Sequence, residues 1–138
     1  MGRIDKGERG ASAVEFAVIA PLFVALLFAI VEFGMILYTK GMMTHASREG
    51  ARYGVVYSTP RRTVSEITAV VQDYLNTSGL TSGATVTVTG AGGSTGDALD
   101  VKVAYTYKFL VLPQNINNYL LGAMPDLNLT VETVMRME

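Results

Sequence analysis

The feature that most constrains this chain is an apolar run of membrane-spanning length close to its amino-terminal end. Residues 11–31 contain a single charged side chain, that of Glu15. An α-helix rises about 1.5 Å per residue, so the run would be roughly 31 Å long, the thickness of the hydrocarbon core of a bilayer. The core helix of a soluble protein is rarely apolar on every face over this length. The run therefore predicts one membrane-spanning helix.

The residues on either side of the run predict its orientation. Basic residues outnumber acidic ones in residues 1–10, and the positive-inside rule then places the amino terminus in the cytoplasm and everything after Lys40 outside. A secretory signal peptide would have a shorter apolar region followed by a small-residue cleavage site. Here the apolar run passes directly into residues 32–38 without such a site. The pattern indicates an anchor, not a secretory signal.

The lone carboxylate of Glu15 is the first candidate functional group. A charge inside a membrane helix costs about 2.5–3.5 kcal/mol at the centre and less near the end. Cleavage after Gly10 would expose the amine of Ala11, which is positive at neutral pH, and Glu15 of a neighbouring subunit could neutralise it. Because an unpaired buried charge is heavily penalised, this pairing would set the stagger between subunits. The alternative is a carboxylate tolerated at the membrane edge.

The helix is expected to continue beyond the membrane as a stalk. Residues 32–54 contain no proline. Ala46, Gly50 and Gly54 recur every four residues, and such a stripe of small residues lets another helix approach closely. Alternatively, the glycines mark fraying near the helix end. Within the span, Pro21 removes one backbone hydrogen bond and predicts either a tolerated kink or a weak point where the helix bends on leaving the lipid.

The rest of the chain predicts a small α+β domain. Thr63 and Glu66 fit a capping box at the start of a short amphipathic helix, which Gly79 ends. Three stretches alternate apolar and polar residues and predict antiparallel strands with one packed face: residues 85–89, residues 99–109 and a strand starting at residue 127. One turn of helix is expected near residues 116–121. The fold class is thus α+β, with a long amino-terminal transmembrane and stalk helix carrying one amphipathic helix and a three-stranded antiparallel sheet.

The composition predicts neither catalysis nor a cofactor. The chain has no cysteine, which excludes disulfides and thiol chemistry. His45 is its one histidine and is expected on the stalk, so neither a zinc site nor a Ser-His-Asp arrangement is predicted. The glycine-rich residues 90–96 lack the Lys-Ser/Thr of a phosphate loop and indicate a flexible hairpin loop. With 11 basic and 12 acidic residues, no basic patch favours nucleic acid. We expect no metal, no nucleic acid and no small-molecule substrate.

The peptide GASAVEF at residues 10–16 resembles the prepilin peptidase site of type IVb pilins. In that pattern a glutamate and then an aromatic residue, here Glu15 and Phe16, occupy the fifth and sixth mature positions. Three wider stretches and the carboxyl-terminal peptide resemble the TadE-like pseudopilins of the tight adherence (Tad/Flp) pilus system: residues 10–21, 32–34, 48–53 and 134–138.

The resemblance implies a minor pilin or pseudopilin that a prepilin peptidase cleaves between Gly10 and Ala11. Its implied place is the bacterial inner membrane, with the domain in the periplasm and a possible place in the pilus. Its implied partners are the peptidase, other pilins or pseudopilins, the secretion ATPase and the assembly platform. Major pilins of this system are very short after processing, so a chain with a domain is expected to prime, tip or accompany a filament that mediates adherence.

These expectations divide the chain into three parts. Residues 1–10 are the leader peptide, residues 11–56 the transmembrane and stalk helix, and residues 57–138 the extracytoplasmic α+β domain. Two other functions stay open. One is a pseudopilin of a different secretion system, such as type II secretion, although no acidic cluster at calcium-ligand spacing is present in the sequence. The other is a binding module on an uncleaved anchor that faces the periplasm.

Overall fold

The computed structural model of the protein describes residues 6–80, 83–109 and 126–138, with side chains from residue 10 onward. Its elements follow in chain order: α1 (Lys6–Val55), α2 (Val64–Thr77), β1 (Ala84–Thr89), β2 (Ala98–Tyr107) and β3 (Leu127–Arg136). This arrangement confirms the predicted α+β fold. The helical turn expected near residues 116–121 lies outside the described residues.

The long helix α1 is continuous from the expected leader into the domain. It begins at Lys6, several residues before the expected start at Ala11, and Pro21 lies inside it without ending it. Gly10 lowers helix propensity by about 1 kcal/mol relative to alanine, which is too little to break a helix of this length. The helix ends at Val55. It could not have continued past Thr59, because the residue preceding a proline, here Pro60, is disfavoured in the helical region.

The capping box predicted for α2 is confirmed. The Thr63 hydroxyl accepts from the Glu66 amide at 3.3 Å, and the Thr63 amide donates to the Glu66 carboxylate at 2.8 Å. The hydrogen bonds from the Thr63 amide and then from its hydroxyl hold the pKa of Glu66 below its ordinary value. After the helix, Gly79 adopts a φ of 82°, which glycine tolerates without steric strain.

The three strands form one antiparallel sheet in the order β1-β2-β3. In its register Val103 pairs with Val86 on one side and Val131 on the other, so one face of the sheet is apolar. The glycine-rich residues 90–96 lie in the β1–β2 hairpin connection, as predicted. This loop is also tied to the end of the chain, since the Gly96 amide donates to the Met137 carbonyl at 2.9 Å.

The core lies between the apolar face of the sheet, α2 and the second half of α1. Met43, Ala51, Ile67 and Val101 are among its fully buried side chains. The carboxyl-terminal half of α1 is therefore a core element of the domain, packed against both α2 and the sheet, and not a free stalk.

The small-residue stripe of α1 faces this core. Ala46 is fully buried. A Cβ added to Gly50 would collide with Val71 of α2, and one added to Gly54 would lie 2.5 Å from Leu99 of β2. The close approach that the stripe allows is made by α2 and β2 of the same chain.

Candidate functional site

The first half of α1 is almost entirely exposed, and we call its residues 10–31 the bare segment. Every side chain from residue 10 to residue 31 is exposed except Ala20, which is half-buried. The mean hydropathy of its most apolar window is 2.7, and none of that window is buried. The bare segment is roughly 33 Å long at about 1.5 Å per residue, enough to cross the hydrocarbon core of a bilayer. By length and composition it is a helix that could cross a membrane once.

Glu15 lies one turn after Ala11 on this bare segment, and both side chains are exposed. Residues four apart on a helix share one face. Within the described part of the chain, the Glu15 carboxylate makes no hydrogen bond or ion pair. Phe16, next to it, is 72% exposed. The structure thus leaves a carboxylate and an aromatic ring side by side on a surface that the folded domain does not cover.

The peptide bond between Gly10 and Ala11 lies inside α1. The nitrogen of Ala11 is therefore a peptide nitrogen in the intact chain, and it becomes a charged amine only after cleavage. No side chain from residue 10 onward that the structure describes lies within 4 Å of the place where a Cβ on Gly10 would stand. The domain leaves this bond open to a second protein.

A second polar site occurs where the bare segment meets the domain. Glu32 is only 4% exposed, and the Tyr107 hydroxyl donates to its Oε1 at 2.8 Å. Burial, followed by the hydrogen bond to the Glu32 carboxylate, raises the pKa of Tyr107 to about 12. The ring of Phe109 stands edge-on to the Tyr107 ring, with 6.0 Å between the ring centroids.

Sequence reasoning left the role of Glu32 open and did not connect it with Tyr107. The available signals were an acid directly after the apolar run and a tyrosine on the apolar face of the second predicted strand. Neither signal identifies the other residue as its partner.

A third contact fixes the carboxyl-terminal part of α1 to the sheet. Ser47 is 1% exposed, and its Oγ lies 2.7 Å from the Oγ1 of Thr133 on β3. Ser47 is also within hydrogen-bonding distance of the Thr44 carbonyl, at 3.1 Å, and either hydroxyl can be the donor between Ser47 and Thr133. Together with Glu32 and Tyr107, this pair aligns the sheet along α1.

The remaining predicted features carry no assembled chemistry in the described ranges. His45 is exposed on α1. Across residues 6–80, 83–109 and 126–138, no three histidine, cysteine or acidic side chains are grouped so that they could hold a metal ion. Arg52 forms an exposed ion pair with Glu49 at 3.0 Å, and its hydrogen bond lowers the pKa of that carboxyl.

The comparisons with known proteins point to the same part of the chain. Residues 10–52 match the family model described as TadE-like protein, which confirms the resemblance found in the sequence. The match includes the bare segment, Glu15, Glu32 and most of the packed half of α1. No curated protein and no solved structure matched the chain significantly.

Proposed function

We propose, from the match of residues 10–52 to the TadE-like family model, that this chain is a minor pilin-like subunit of a Tad pilus system, in which it primes, tips or accompanies the filament. A prepilin peptidase removes residues 1–10 by cutting between Gly10 and Ala11. Residues 11–56 then anchor the subunit and contribute the second half of α1 to a periplasmic domain. Residues 57–138 form the remainder of that domain. The observation that carries the proposal is a bare apolar helix with one carboxylate, Glu15, near its start.

The proposed role of Glu15 in the assembly of subunits is based on the surroundings of its carboxylate. The carboxylate is exposed on a surface otherwise made of apolar side chains, and the described part of its own chain supplies no counter-charge. When such helices pack together away from water, an unpaired charge is strongly unfavourable. The amine of Ala11 on a neighbouring processed subunit is the counter-charge that cleavage itself creates. Phe16 contributes apolar contact area beside that pair.

Cleavage requires the Gly10–Ala11 bond to leave the helix, because a peptidase must reach its carbonyl group. Two features make this local unwinding inexpensive. The first amides of a helix have no partner within it, so the amino-terminal turns fray readily. A glycine inside a helix is less stable than alanine by about 0.5–1 kcal/mol. Gly10 supplies the second feature, and as the fifth residue of α1 it directly follows the four unpartnered amides.

The domain is proposed to act by contact and without catalysis. Its partners are other pilins or pseudopilins, the assembly platform and the inner membrane. Because the second half of α1 lies in the domain core, the domain and the anchor are joined through one helix without a linker. Any movement of the anchor during assembly is then transmitted directly to the domain.

The decisive experiment is amino-terminal sequencing of the protein recovered from the membranes of its native host. Wild type is compared with Gly10→Val and with Gly41→Ala, a glycine on the same helix that has no neighbouring atom within 4 Å of an added Cβ. A mature start at Ala11 in wild type and Gly41→Ala, but not in Gly10→Val, is expected. An intact amino terminus in wild type would overturn prepilin processing and favour an uncleaved anchor carrying a binding module.

A further inference from the structure

The apolar surface of α1 does not end where the domain begins. Beyond the bare segment, Glu32 and Thr39 turn towards the domain and are buried, whereas Phe33, Leu37 and Tyr38 on other faces are 62%, 53% and 52% exposed. Lys40 is the first exposed charged residue after Glu15. One side of the helix therefore stays apolar alongside the lower part of the domain.

The length of this apolar surface matches a whole bilayer better than its hydrocarbon core. From residue 10 to residue 38 the helix covers roughly 42 Å, against about 30 Å for the hydrocarbon core and about 40–45 Å with both headgroup layers. Tyrosine is enriched at membrane interfaces, and lysine near helix ends reaches towards the headgroups. Tyr38 and Lys40 have the chemistry and position of such an outer boundary.

The domain begins below that boundary. Tyr107 is hydrogen-bonded to Glu32, which lies about 12 Å before Lys40 along α1. Leu127 is opposite Tyr107 in the sheet register. Lys108 and Leu127 are exposed, and Phe109 is half-buried. We call these three residues, Lys108, Phe109 and Leu127, the lower edge of the domain.

We propose that the lower edge lies in the headgroup layer of the leaflet on the domain side, with lipid as its occupant. The apolar surface of α1 is continuous with the anchor. Its length places the headgroup layer at the height of Glu32 to Tyr38. Phe109 and Leu127 contribute apolar surface there, and the ammonium group of Lys108 can pair with lipid phosphates. Asp126 is the neighbouring exposed acid, so the lower edge and its neighbour carry one charge of each sign.

This inference rests on the membrane anchor in the proposed function and adds a second membrane contact to it. With contacts at both the helix and the lower edge, the domain has a set height and a limited tilt above the bilayer before assembly.

The chain has no tryptophan, so single-tryptophan variants can report depth. The full chain is reconstituted into phosphatidylcholine vesicles whose lipids carry bromine close to the headgroup, where it quenches tryptophan fluorescence. Phe109→Trp and Leu127→Trp report the lower edge. Phe28→Trp reports the anchor. Val134→Trp, on exposed β3 surface about 24 Å along the strand from Leu127, is the matched control outside the membrane.

We expect Phe109→Trp or Leu127→Trp to be quenched much more strongly than Val134→Trp, with circular dichroism spectra like that of wild type. Quenching of both lower-edge variants at the Val134→Trp level, while Phe28→Trp is quenched, would overturn the inference and leave the anchor intact. If Phe28→Trp is not quenched either, the anchor itself is wrong, and the membrane part of the proposed function is overturned with the inference.

Discussion

Tyr107, the last residue of β2, donates a 2.8 Å hydrogen bond to the carboxylate of Glu32, 75 positions earlier in α1. Both side chains are almost fully buried, so water cannot readily replace either partner. The pair joins the end of the sheet to the point on the helix where its bare segment ends. It therefore marks where the bare segment ends and the domain begins.

Removing this hydrogen bond should weaken the domain. Hydrogen bonds to charged groups contribute about 1.5–3 kcal/mol, so we expect Tyr107→Phe to lower the free energy of unfolding by about that amount. The measurement is chemical denaturation of the full chain in detergent, followed by circular dichroism. Tyr57→Phe is the matched control, because that side chain is exposed. Equal stability of Tyr107→Phe and wild type would show that the hydrogen bond contributes nothing.

The same pair predicts a pH dependence at the alkaline end. The pKa of Tyr107 is raised to about 12 in the folded chain, above the ordinary tyrosine value of about 10. Its contribution to stability is therefore fully present below about pH 10 and is lost as the pH rises through about 12. The tyrosinate absorbance of wild type minus that of Tyr107→Phe should titrate near the higher value. A difference in absorbance that titrated at the ordinary tyrosine value of about 10 would contradict this.

Gly50 should not tolerate a methyl group. An added Cβ would overlap Val71 Cγ2, and valine has little rotamer freedom with which to move away. Overpacking of a core typically costs about 1–3 kcal/mol, so Gly50→Ala should destabilise the domain although alanine favours helix. Gly41→Ala, which has open space, should be neutral or slightly stabilising in the same denaturation experiment. A stabilised Gly50→Ala variant would mean that α2 is not packed this closely on α1.

Glu15 should matter for assembly and not for processing. We expect Glu15→Gln to be cleaved normally but to lose co-purification with the other pilins and to reduce adherence, since the amine of Ala11 on a neighbour would lack its counter-charge. Glu49→Gln, at an acid on the same helix within the domain whose side chain is 43% exposed, is the control and should behave as wild type. Normal co-purification and normal adherence of Glu15→Gln would refute the pairing.

Local patterns were sufficient for the elements themselves. The apolar run predicts the bare half of α1, Thr63 with Glu66 predicts the start of α2, and strict alternation predicts the strands to within a few residues. Each of these signals depends on neighbours in the chain, through helical or strand periodicity and through hydrogen bonds that span three residues. The start of the long helix was predicted less accurately, because α1 includes residues back to Lys6 and Gly10 alone is too weak to stop a helix.

The sequence by itself determined the long apolar helix, the fold class and the position of Glu15. Only the tertiary structure decided that the second half of α1 is domain core, that Gly50 and Gly54 face α2 and β2, and that Glu32 binds Tyr107. The physical reason is that the free energy of these contacts depends on close packing between elements far apart in sequence. A pattern of neighbours specifies which face of a helix is buried, but it does not specify what lies against that face.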